Sequence, residues 1–390
     1  MEYELSPKGS SSPSSSKKCL VYVALITAQV IFGISAVVGT IGLPSFHPLT
    51  FALVRESNAT ILLLIAAHVT SLCAGREGGL LSGSFSKDWK LLFVSGLGIF
   101  MSQAFYIVGI KLSSAVAASV WQPSQPILTA AVCMVMGWEP FNLHRVLGIV
   151  VAFLGCSIMV LGGGGSGALG ESMGGGGGGD EYNGAFTNLM GQASFLVNCL
   201  GLTLYVLASK KVLATNRYES VTITAWSYLT ATFMMAILAV VMSWSESMSM
   251  FLCSDCEGSI WNVPPSAIPA LIWYIIMTSS AAYALMTWAN KYASSTLVIG
   301  YTVLQPMASA VLIQVLVMFG LFESCSVVAE GGGSVRSLMS TSMRILDETV
   351  KPCLDEPDKY TAFGAVGVLT GTFVHVVHLY VECTKTKNVY

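Results

Sequence analysis

Ten runs of about 20 mostly apolar residues punctuate the chain. That is the length a helix needs to cross a bilayer, where no water can pair the backbone. They fall at approximately 20–43, 49–73, 91–110, 114–137, 143–161, 185–208, 221–242, 268–289, 296–319 and 361–380. Pro126 and Pro306 interrupt the fourth and ninth. None of the runs alternates apolar and polar positions, as the strands of a membrane barrel do. The pattern predicts an all-α polytopic membrane protein with ten transmembrane helices.

The connections divide the chain. Residues 1–18 are Ser-rich and read as a disordered tail. The first run follows this tail without a cleavage site, so it reads as a retained helix and not as a signal peptide. A glycine-dominated linker at 162–184 separates a first five-helix unit, 19–161, from a second, 185–382. The second unit contains a long loop at 323–360, and residues 383–390 form a closing tail.

Composition agrees: 54% of residues are hydrophobic and 10% charged, and the net charge is −2. Soluble domains carry about 25% charged residues. A chain so poor in charge, with no excess of positive residues, is no nucleic-acid binder; its surroundings are the lipid bilayer. With the first residue in the cytoplasm, 13 of the 19 Lys and Arg fall on the cytoplasmic side and five on the other. The remaining one, Arg55, lies inside a span. Four of the outer five sit in the long loop, where the positive-inside rule counts least. Both termini are therefore expected in the cytoplasm, in the plasma membrane or an endomembrane. Cys253, Cys256, Cys325 and Cys353 then fall on the outer side and are candidates for disulfides.

Two segments match at a constant offset of 180, KLSSAVAASVWQPSQP at 111–126 and KYASSTLVIGYTVLQP at 291–306. Lys111, Ser114, Gln125 and Pro126 match Lys291, Ser294, Gln305 and Pro306, and Trp121 falls opposite Tyr301. Gln29 and Phe32 repeat the spacing of Gln192 and Phe195. Five crossings per unit place the second unit upside down, giving two inverted five-helix repeats. In secondary transporters of this architecture the substrate site lies near the midplane, between the repeats. Pro126 and Pro306 are expected to kink their helices near mid-bilayer. Each frees a carbonyl, at Gln122 and Thr302, which needs a partner in protein or in a water-filled cavity.

These residues resemble the drug/metabolite transporter superfamily, in particular its EamA-type members and the plant nodulin-like exporters of auxin and amino acids. The likeness rests on PLTFALVRESNATILLL at 48–64, LSSAVAASVWQPSQPILTAAV at 112–132 and YALMTWANKYASSTLVIGYTVLQPMASAV at 283–311. Gly137-Trp138-Glu139 fits the family's Gly-x-Glu near a helix end, and 320–323 fits it with one residue inserted. Arg55 matches an arginine typical of the second helix. The resemblance implies a transporter of a small organic metabolite, an amino acid or an auxin-like compound, working by alternating access. A nucleotide-sugar or sugar-phosphate carrier is the alternative within this class. From another class, an intramembrane metal enzyme built on His375, His378 and Glu382 competes. No Walker loop or hydrolase motif is present, so the reading is not an enzyme, and no cofactor or bound metal is expected. Besides the small-molecule substrate, a second copy of the chain is a candidate partner.

Ionisable groups inside a membrane are costly and are functional candidates by default. Arg55 can hold a carboxylate or phosphate. Glu56, about 100° further round the helix, is a proton-coupling candidate that shares no face with Arg55. His375 and His378 are spaced for one face and are candidates for a proton relay, against simple packing. Gln29, Trp121, Gln125, Gln192, Trp226, Tyr301 and Gln305 are the remaining substrate-binding candidates. The competing reading makes them interhelical hydrogen-bond partners and interfacial aromatics.

Overall fold

The computed structural model describes residues 15–42, 46–73, 85–112, 121–137, 181–244 and 261–319, with isolated positions at 143, 146, 147, 150, 151, 154, 323, 324, 353 and 354. The helices are α1 (Ser15–Gly42), α2 (Pro48–Cys73), α3 (Phe85–Leu112), α4 (Gln125–Val135), α5 (Glu181–Ala214) and α6 (Ser220–Ser243). They continue as α7 (Ile268–Trp273), a π-helical segment Tyr274–Ala282, α8 (Tyr283–Tyr292), α9 (Ser295–Gly300) and α10 (Gln305–Met318).

Seven stretches are long and apolar enough to cross a membrane: Cys19–Gly39, Pro48–Cys73, Lys87–Gly109, Leu189–Ala214, Ser220–Ser243, Pro265–Tyr292 and Ser295–Leu316. A shorter apolar helix, Gln125–Val135, occupies the second half of the predicted fourth run. The predicted tenth run lies outside the described residues, as does all but six helical positions of the fifth. Outside them too lie His375, His378, Glu382, Cys253, Cys256 and Cys325, while Cys353 is described by its backbone. A two-residue parallel pairing of Glu323–Ser324 with Cys353–Leu354 joins the two ends of the long loop, a contact that hydropathy gave no sign of.

Local chemistry explains where several helices start and stop. Pro48 opens α2, where its missing N–H costs nothing. Gly137 ends α4 with φ +67°, a left-handed stop that glycine adopts without strain. Asn216 does the same between α5 and α6, with φ 53°.

Of the two partners expected for the carbonyls freed by the prolines, protein or a water-filled cavity, the chain supplies the first: it tightens into 3-10 turns at Gln122–Ser124 and Tyr301–Leu304, immediately before α4 and α10. The backbone N–H of Gln125 then donates to the Gln122 carbonyl, and that of Gln305 to the Thr302 carbonyl. Each carbonyl orphaned by a proline is thus satisfied from within the helix by the residue preceding that proline.

Packing joins N-terminal and C-terminal helices. α3 lies along α5, α2 along α6, and α1 against α7, the π segment, α8 and α10; α4 meets α5 and α9. The two 3-10 turns touch each other. Aromatic, aliphatic and small residues fill the centre, among them Ile99, Tyr205, Tyr228, Met286 and Ala289. Large apolar side chains on the outer faces, such as Ile61, Ile65, Phe233 and Ile237, are exposed, as helices facing lipid require.

Two seams are unusually close. A Cβ built on Gly98 of α3 would stand 2.5 Å from the Tyr205 nitrogen and 2.7 Å from the Gly201 carbonyl oxygen of α5. One built on Gly33 of α1 would meet Ala308 Cβ of α10 at 2.6 Å. Only glycine allows such approach, the means by which membrane helices gain contact without a hydrophobic drive between them.

Candidate functional site

Arg55 and Glu56 are both buried in α2, Arg55 at 7% exposure and Glu56 at 0%. Sequence spacing put them on different faces, yet Arg55 Nη2 donates to Glu56 Oε1 at 3.3 Å. The long arginine side chain folds back to reach its neighbour, and the contact involves one of the two carboxylate oxygens. The same Nη2 makes a much shorter bond, 2.6 Å, to Gln103 Oε1 of α3. Phe51 and Tyr274 flank the guanidinium, their ring centres 5.6 and 5.8 Å from Cζ. Arg55 Nε and Glu56 Oε2 are buried without a hydrogen-bond partner among the described residues.

Gln103 passes the network on. Its Nε2 donates to Tyr283 Oη at 2.7 Å. Tyr283 lies at the convergence of three more rings, Phe32 at 5.4 Å, Tyr205 at 5.7 Å and Tyr228 at 5.4 Å, all edge-on. Edge-to-face packing of this kind stabilises by about 0.5–1.5 kcal/mol per pair beyond area burial. One turn further along α8, Thr287 bonds the Tyr205 hydroxyl and accepts from Thr224 Oγ1 at 3.0 Å. Asn290 then donates to the Val206 carbonyl at 2.8 Å, and Lys210 Nζ caps the end of α8 on the carbonyls of Asn290 and Ala293. Tyr283, Thr287 and Asn290 therefore form a polar ladder on one face of α8, at spacings of four and three.

The other sequence candidates fall into separate groups. Gln305 Nε2 donates to Gln29 Oε1 at 2.7 Å, joining α10 to α1 one turn from Phe32. Trp121 Nε1 donates to Gln192 Oε1 at 2.6 Å, joining the turn before α4 to α5. Gln125 is buried and donates to Gln122 Oε1 at 2.6 Å. Pro126 is buried and Pro306 half-buried. Tyr301 is buried with its ring 6.4 Å from that of Tyr22. Trp226 packs beside Leu92, Val212 and Tyr218, a cluster apart from the Arg55 group. Among the described residues, no three His, Cys, Asp or Glu side chains converge as metal ligands would.

Gln103, Tyr283, Tyr205, Thr287 and Asn290 were not among the sequence candidates. Gln103 carried the same signal as Gln29, an amide inside an apolar run. The ladder was visible as Tyr-Thr-Asn at helical spacing in 283–290.

The fold and the buried charge define the class first: a helical, multi-pass integral membrane protein with a polar network at the meeting of its helices. Residues 20–161 match the EamA-like transporter family, consistent with the drug/metabolite transporter superfamily. A solved crystal structure of a protein superposes on 94% of this chain and 98% of its own, with a TM-score of 0.60 at 14% identity. At that identity the likeness is one of fold.

Proposed function

We propose that the chain is a secondary transporter that moves a small organic metabolite, an amino acid or auxin-like carboxylate, by alternating access between two inverted five-helix halves. The observation that carries the reading is the buried Arg55–Glu56 pair, with a nitrogen and an oxygen unpartnered among the described residues, at the contact of α2 with α3 and the π segment. A membrane protein keeps such groups where substrate or ions pass. The packing supports the inverted arrangement. Exchanging α1 with α5, α2 with α6, α3 with α7–α8 and α4 with α9–α10 turns the principal contacts into one another. Thr60 of α2 and Thr232 of α6, partners under that exchange, bond at 2.9 Å.

Among the described residues the site offers one cation beside one carboxylate. This favours a singly charged or zwitterionic substrate over a sugar phosphate, which calls for more positive charge. Glu56 is the group placed to exchange a proton during transport. The remaining buried amides, Gln29 with Gln305 and Gln192 with Trp121, are proposed to line the path on either side.

Uptake of radiolabelled amino acids and indole-3-acetate into proteoliposomes tests this. Saturable uptake of at least one, lost in Arg55→Gln, is expected. Uptake unchanged in that variant would remove Arg55 from substrate binding; no saturable uptake with folded protein would remove the substrate class. Glu56→Gln should abolish uptake driven by a pH gradient while sparing exchange, and gradient-driven uptake at the parental rate would exclude Glu56 from coupling.

A further inference from the structure

We infer that Gln103 is a positioning residue for Arg55 and that Tyr283 sets Gln103: their hydrogen bond holds the guanidinium off Glu56 and leaves its Nε edge unpaired, to be taken by a substrate anion. This rests on the reading of Arg55 as the substrate-binding cation.

The distances carry the argument. Arg55 Nη2 has two acceptors, and Gln103 holds it at 2.6 Å while Glu56 stays at 3.3 Å. In a buried site a guanidinium without an acceptor is costly. Without the Gln103 amide, Glu56 is the one hydrogen-bond acceptor of Arg55 left among the described residues, and its Oε2 has no partner among them. The pair would close to a tight, two-point contact, the preferred geometry of Arg with a carboxylate, and the open edge would be lost. The amide itself is oriented. Its oxygen is committed to Arg55, which only donates, so its nitrogen must face an acceptor, and Tyr283 Oη provides one at 2.7 Å.

Gln103 and Tyr283 are 180 residues apart, the same offset that relates Lys111 to Lys291 and Gln125 to Gln305. Equivalent positions of the two halves thus meet each other, and the side chain that orients Arg55 takes its own orientation from across the junction. A movement of one half against the other that parts this bond releases Arg55 onto Glu56. The cation is then offered to substrate in one arrangement of the halves and withdrawn in another.

The test needs no known substrate. Full-length protein in lipid nanodiscs is treated with phenylglyoxal, which condenses with the terminal nitrogens of an accessible guanidinium and is slowed by a tight carboxylate contact at Nη2, and the peptide containing Arg55 is followed by mass spectrometry. Tyr283→Phe keeps the ring contacts and deletes the acceptor; Gln103→Leu deletes the amide. Gln103→Leu is expected to slow modification of Arg55 about tenfold, the scale of one lost hydrogen bond to a charged group, and Tyr283→Phe about threefold, the scale of a neutral one. Adding Glu56→Gln to Gln103→Leu removes the carboxylate that covers the edge and should restore the rate, a rescue that a purely structural amide would not show. Modification in Tyr283→Phe at the parental rate or faster overturns the inference, and so does an Arg55 that the reagent never reaches in the parent. Should Arg55→Gln abolish uptake while Tyr283→Phe leaves the modification rate unchanged, only the positioning role falls. Should Arg55→Gln transport normally, the substrate-binding reading falls with it.

Discussion

Helix α3 meets α5 backbone to backbone, whereas the α7–α8 stretch meets α1 through hydroxyls and rings. On the first seam, Gly98 and Gly201 leave no room for a side chain. On the second, Thr278 stands 180 residues from Gly98 and bonds the Ser35 hydroxyl at 2.5 Å. Trp273 Nε1 and the Tyr274 hydroxyl reach Ser35 as well. α3 is unbroken over 28 residues, while the corresponding stretch carries nine residues of π helix. Within it Ser280 Oγ donates to the Ile275 carbonyl five residues back, in competition with the helix's own N–H donors. One seam leaves no space between its backbones. The other is held by bonds that can be exchanged one at a time, and it is the one that contributes Tyr274 and Tyr283 to the Arg55 network.

This contrast can be tested by substitutions, taken from the largest expected effect. Arg55→Met strands the buried Glu56 charge beside the π segment and should cost about 3–5 kcal/mol, read as a fall in unfolding temperature in detergent. Adding Glu56→Gln should recover most of it, and failure to recover would show that the pair is not the source. Gly98→Val forces α3 away from α5, with an expected loss of about 1–3 kcal/mol or more; a variant as stable as the parent would mean the seam is looser than drawn. Hydrogen exchange should sharpen the comparison, with amides at 274–282 opening about tenfold faster than those at 94–102. Equal protection would remove the distinction between the seams. Ser35→Ala should cost least, about 0.6 kcal/mol, the usual scale of a hydrogen bond between membrane helices, and a loss as large as that of Gly98→Val would reverse the ranking.

Hydropathy alone located the seven long spans, because each must hide its backbone from lipid over a full crossing. The fourth run was legible as apolar, but the 3-10 turn before Pro126 was not: the missing N–H predicts an orphaned carbonyl without saying how the chain repairs it. Arg55 and Glu56 stood out as charges in an apolar helix. Their contact did not, since angular spacing ignores how far an arginine can fold back. Gln103 and the Tyr283–Thr287–Asn290 ladder were legible in principle. What made them hard to select is that uncharged polar residues in membrane helices are common, and their partners on α5 and α6 are set by packing that no single helix encodes.

The π segment has a consequence beyond its bonds. A π turn holds more residues than an α turn, so Tyr274–Ala282 stores surplus chain inside an otherwise regular helix. Returning one such turn to α geometry would rotate everything beyond it by about 100°, the step of one residue. Tyr283, Thr287 and Asn290 would all turn together, away from α5 and α6, with no helix broken and no residue unfolded. Such a change would make the segment a ratchet position, and the ladder that follows it the part it would index.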